Sequence, residues 1–228
     1  MGFMDKLMGG GKKQEAFYAS YADTHNLVRS TDEIPAVTKS LEGDAVTKER
    51  FDGRLAAGFK GTVALVETTI RTSATVVNSE QYNELHSTHD GSSRVETSAK
   101  AYPSTVVMIS LEDGTGSLGG LAVKKNYNKQ SMGKNDVYGN LRRVTLEGLD
   151  LDNRFYVFAD EGADPETVRG IFSPSFSAWL NAQPEKFFSF EVGQDTLVTK
   201  QPKFPKDEEE MDARVTQACE IARQLKPA

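Results

Sequence analysis

The chain has 228 residues, 38% of them apolar and 26% charged, and a net charge of −6. That is enough apolar matter for one sizeable core, and too acidic a balance for broad electrostatic affinity for nucleic acid. No run approaches the roughly 18 apolar residues of a membrane-spanning helix, and a lone cysteine, Cys219, excludes an internal disulfide framework or a cysteine zinc cluster. A soluble, intracellular protein of mixed α and β structure is the expectation.

The opening residues MGFMDKLMGGG lack the cleavage site of a secretory signal, and Lys6 stands where N-myristoylation needs Ser or Thr. On a helix Phe3, Met4, Leu7 and Met8 share one face opposite Asp5 and Lys6, and Gly9, Gly10 and Gly11 then read as a hinge. Residues 1–11 are thus expected to form a flexible or amphipathic segment. Its four apolar side chains are the candidate contact with a membrane surface or a partner groove, although two turns bury too little to anchor alone. Residues 12–228 are expected to form a single domain, with a composition shift near residue 141 as a candidate subdomain boundary.

Helical spacing of Phe17, Tyr21 and Val28 predicts a helix over about 12–27. Residues 30–44 are polar and hold Pro35, so they read as a connector touching the core at Ile34 and Val37. From residue 51 to 111 β-branched residues dominate, with strands predicted over 62–70, 74–77 and 105–111 and an exposed hairpin connection over 78–93. A glycine-rich turn, a short strand over 118–123, a basic loop and strands over 141–146 and 154–158 follow. Asp164-Pro165 and Ser173-Pro174 are N-cap and first-turn pairs, which predict two short helices. Residues 186–192 and 196–199 read as a hairpin across Gly193. The last element loads acids into its first turn at Asp207, Glu208, Glu209 and Glu210, places Arg223 and Lys226 in its last, and carries the stripe Met211, Val215, Ala218, Ala222, Leu225. Cys219 flanks that stripe and reads as an inert core thiol. The fold class expected is α+β: an antiparallel or mixed β-sheet with N- and C-terminal helices and two short inserted helices.

Leu146-Glu147, Arg154-Phe155, Val157, Ser173-Pro174 and Phe188-Ser189-Phe190 together make a recognisable block over residues 144–200. It resembles the C-terminal part of the bacterial domain of unknown function 3137 family, and the opening MGFMDKLMGGGK resembles that of soluble actinobacterial members. The resemblance implies this fold and a bacterial origin. It implies no catalytic residues and no cofactor, because that family brings no established chemistry.

Three constellations invite a functional reading. Gly114-Thr115-Gly116-Ser117-Leu118-Gly119 matches G-x-G-x-x-G after a strand, but no helix follows, so a glycine hairpin is preferred to a dinucleotide site. His86 and His89 with Asp90 offer metal donors on a polar loop, yet the third histidine, His25, is distant in sequence, and no metal site is assigned. Residues 124–143 carry six bases, Lys124, Lys125, Lys129, Lys134, Arg142 and Arg143, against the single acid Asp136, with Tyr127 and Tyr138 interleaved. That is a candidate anion-contact surface. From residue 144 onward the chain holds sixteen acids against nine bases, so internal counter-charge explains the same pattern.

No nucleophile elbow or serine–histidine arrangement occurs, and the sequence leans away from an enzyme. The reading is a non-catalytic binding or scaffolding module in the bacterial cytosol or at the inner membrane surface. An anionic membrane is its candidate partner, and nucleic acid is disfavoured. Two rival classes remain: a phosphate- or nucleotide-binding enzyme or sensor using the turn from Gly114 to Gly120, and a structural component of a phage or other assembly.

Overall fold

The computed structural model describes residues 3–77, 93–111, 119–125, 137–146, 149, 151, 154–183 and 189–225. In chain order the elements are α1 (Phe3–Thr24), β1 (Val28–Ser30), β2 (Ala45–Arg54), β3 (Lys60–Val77), β4 (Ser93–Ser110), β5 (Leu121–Lys125), β6 (Val137–Tyr138), β7 (Leu141–Val144), β8 (Phe155–Asp160), α2 (Pro165–Ile171), α3 (Pro174–Asn181), β9 (Ser189–Gly193), β10 (Thr196–Pro202) and α4 (Glu208–Leu225). The strands form one sheet of ten, ordered β1-β2-β3-β4-β10-β9-β5-β8-β7-β6. Every pairing is antiparallel, which settles the choice between an antiparallel and a mixed sheet. The α+β expectation holds, and residue 141 opens β7 inside this same sheet.

Both faces of the sheet are covered, and this explains the partial alternation of its strands. Val63 and Leu65 point to one side and Ala64 and Val66 to the other, and all four are buried. On the first side the helices close a large core in which Tyr18, Tyr21, Phe51, Ile109, Phe172, Phe176, Phe190, Met211 and Ile221 pack together. On the second side residues 31–44 cross the sheet as a strap. Leu41, with Ile34 and Val37 partly buried, packs there on Ala64, Val66, Val106, Met108 and Val198. The strap lies so close to β9 that a Cβ on Gly193 would stand 2.3 Å from the Val37 carbonyl oxygen, which is why a side chain is not tolerated there.

The predicted caps are in place. Asp164 accepts from the N–H groups of Glu166 and Thr167, and Ser173 Oγ from that of Phe176 at 3.1 Å. The stripe of the last helix is buried, with Cys219 beside it. Four expectations change. The first helix begins at Phe3 and runs through Gly9 to Gly11, where a hinge was expected. Glycine lowers helix propensity but keeps its N–H, so the hydrogen-bond ladder is not cut as proline would cut it. A strand starts at Ala45, before the β-branched region, because its polar residues face outward while Phe51 fills the core. The 62–70 and 74–77 segments are one strand. The β9–β10 turn is made by Gln194 and Asp195, both with positive φ (50° and 54°), while Gly193 belongs to the strand.

Candidate functional site

Two polar arrangements occupy the strap side of the sheet. The first centres on Glu191, 3% exposed, in the middle of β9 between the cross-strand neighbours Val198 and Ala122. An isolated carboxylate cannot be buried cheaply, so its partners define the arrangement. Tyr138 donates its hydroxyl to Oε1 at 2.6 Å, and the backbone N–H of Ser40, in the strap, donates to Oε2 at 3.0 Å. Lys124 Nζ lies 3.8 Å from Oε1 and 3.3 Å from the Tyr138 ring centroid. Lys200 reaches the same region and donates to the Ser40 carbonyl at 2.9 Å and the Thr68 hydroxyl at 3.2 Å.

The charges of this cluster tune one another. Burial pushes both ammonium groups below the ordinary lysine range, and the Glu191 charge partly offsets this. The Tyr138 phenol is pushed well above its usual range, first by burial and then by its bond to Glu191. These groups are spent on each other. The arrangement fastens the strap and β6 to the sheet.

The second arrangement is an open groove of about 740 Å³ farther along the same face, lined by Arg50, Asp52, Arg54, Lys60, Thr62 and Met108 among others. Alternation along β2 and β3 carries three bases to it. Asp52 is held by Arg50 Nε at 2.7 Å and by the Thr62 hydroxyl at 2.5 Å. Arg50 also donates to the Glu33 carbonyl at 3.1 Å, which ties the strap to the groove wall. Among the described residues the groove wall thus carries Arg50, Arg54 and Lys60 beside Asp52, without a nucleophile and base among the residues named.

Of the basic residues singled out in the sequence, Lys129 and Lys134 lie outside the described residues, as do His86 and His89. Lys124 pairs with Glu191, Lys125 donates to the Gln183 carbonyl at 2.6 Å, and Arg142 lies 2.8 Å from Glu161. Arg143 covers the Tyr156 ring at 4.7 Å. Of the four that are seen, Lys124 and Arg142 thus face carboxylates, while Lys125 meets a carbonyl and Arg143 a ring. In the glycine turn, residues 114–118 lie outside the description. At its end the Gly120 N–H donates to Asp160 Oδ2 at 2.6 Å. Phe3, Met4, Leu7 and Met8 fall on the backbone of α1, their side chains outside the described part. Cys219 is buried and its thiol is pushed up to about 11 by burial, which keeps it protonated near neutrality.

Sequence reasoning passed over Glu191 and the groove. The trace of Glu191 was a lone acid inside the apolar run Phe190-Glu191-Val192, a local conflict that a buried partner must resolve. Arg50, Arg54 and Lys60 are scattered over two strands, and only the register brings them together.

Among the described residues no helix is long and apolar enough to cross a membrane. No family model and no curated protein matches the chain. Among solved structures the fold is similar to that of the mycobacterial trehalose monomycolate transport factor A, TtfA, at 11% identity and a TM-score of 0.52, covering 93% of this chain and 96% of that one. The two share an architecture from end to end.

Proposed function

We propose that this chain is a non-catalytic binding module working in the cytosol at the inner membrane surface, with its N-terminal segment touching the bilayer. The observation that carries the reading is the end-to-end likeness of fold to a protein whose name makes it a transport factor. Such a role calls for surfaces rather than a reactive cluster. The groove offers an open surface on the strap side of the sheet, and α1 suits a membrane contact. Among its described side chains Lys13 to Ala16 are exposed and the buried ones begin beyond them, so the helix docks by its second half. Phe3, Met4, Leu7 and Met8 lie on the other half.

The test is co-sedimentation with vesicles of mixed anionic and neutral lipid. The full chain is expected to partition to the vesicles, and removal of residues 1–11 to lower the bound fraction several-fold. Equal partition of the two would refute the membrane contact. A second reading, a structural part of a larger assembly, is favoured by one feature: residues 70–77 and 93–100 pair with each other and, among the described residues, with no third strand. A large discrete species in light scattering would support it, and a monomer across micromolar concentrations would not.

A further inference from the structure

His25, Glu208 and Asp212 meet where the first and last helices come together. His25 sits just past α1, its N–H bonded to the Tyr21 carbonyl at 3.1 Å, while Glu208 and Asp212 are one turn apart at the start of α4. His25 Nε2 lies 3.3 Å from Glu208 Oε1 and 3.6 Å from Asp212 Oδ1, and the three donor atoms all lie within 4.8 Å of one another. An imidazole N–H donating to a carboxylate prefers about 2.9 Å. Donors bound to one zinc-like ion at about 2.1 Å and a tetrahedral angle stand about 3.4 Å apart. The two distances from the imidazole fall near the second value, the shorter one also serving as a hydrogen bond to Glu208 without an ion.

Three further observations agree. Like charges four residues apart on a helix repel, and Glu208 and Asp212 are such a pair, converging on the imidazole. The Tyr21 hydroxyl donates to Asp212 Oδ1 at 3.0 Å, which fixes that carboxylate as an outer-shell partner fixes a metal ligand. His25 and Asp212 border a cavity of about 310 Å³, lined also by Leu55, Val215 and Thr216, with room for water to complete a coordination shell. Arg54 lines that cavity too, and donates to the Gly58 carbonyl at 3.3 Å. All three side chains are partly exposed, so an ion can enter.

We propose that His25, Glu208 and Asp212 bind a divalent first-row transition metal ion of the zinc class, tying the end of α1 to the start of α4. One imidazole nitrogen with two carboxylate oxygens suits zinc, nickel or cobalt better than magnesium or calcium, which take oxygen alone. The site is open, with water in the remaining positions.

The experiment is calorimetric titration of the chelator-treated full chain with Zn²⁺, in a His86→Ala/His89→Ala background so that the loop histidines contribute nothing. One ion per chain is expected in that background. Adding His25→Ala or Asp212→Asn should weaken binding at least about tenfold, and Tyr21→Phe by a smaller factor, with the circular dichroism spectrum retained. No binding in the His86→Ala/His89→Ala background, or binding that His25→Ala and Asp212→Asn leave unchanged, would overturn the proposal. Neither result would bear on the vesicle experiment, which reads a different part of the chain.

Discussion

Glu191 is where a single side chain decides most. It is buried, accepts from a phenol and from the strap backbone, and faces two half-buried ammonium groups, so its removal leaves charge without compensation. Breaking a buried ion pair by deleting one partner costs about 3–5 kcal/mol. Glu191→Ala should therefore lower unfolding stability by about 3 kcal/mol in urea titrations, with Glu191→Gln intermediate; a loss below about 1 kcal/mol would contradict this account of the cluster. The tyrosines supply a pH signature. Tyr18 is raised to about 12 by burial, and Tyr21 and Tyr138 higher still, Tyr21 by burial with Asp212 and Tyr138 by burial with Glu191. A phenol that holds its proton longer in the fold than in the unfolded chain contributes stability that is complete below about pH 10 and is lost as pH rises toward 12. Lys124 and Lys200, pushed down, act in the opposite sense, but the phenols are three against two and displaced further. The urea midpoint should fall as pH rises from about 10 toward 12, and a rise over that range would reverse the sign argued here.

At the scale of elements, local chemistry made most of the secondary structure readable. Asp164-Pro165 and Ser173-Pro174 write their helices into the sequence because a cap needs one side chain and its own next turn. The stripe of α4 is legible for the same reason. Non-local features were not. The first half of β2 lies between the polar connector and the β-branched region, and its polar residues carry no strand signal of their own. The groove needs a register that no short window contains, and the first turns of α1 were masked by their glycines. The β3–β4 ribbon gives the clearest test of what an element owes to its neighbours. Among the described residues its outer part has no third strand, and an isolated two-stranded ribbon is marginal in water. Replacing residues 71–99 by an Asn-Gly turn between the paired residues Ile70 and Lys100 preserves the register and should change unfolding free energy by less than about 1 kcal/mol. A loss of several kcal/mol in urea titration would mean that the ribbon supports the body.

Across the whole molecule the helices serve one face of the sheet and the strap the other, and the polar groups gather where these layers meet. The Glu191 cluster fastens the strap, and the His25 group joins the two ends of the chain. Membrane contact would engage the start of α1 and any ion its end, where Tyr18 and Tyr21 pack on Phe51. The order of the strands has a further consequence. β10 pairs with β4, and β9 with β5, so the hairpin of residues 189–202 is wedged between two half-sheets built from everything before it. During synthesis both halves wait with an unpaired border, and no partial product can close the gap. A ribosome that stalls short of this hairpin releases a chain with two adhesive rims, which makes premature termination near the end as damaging as termination near the middle.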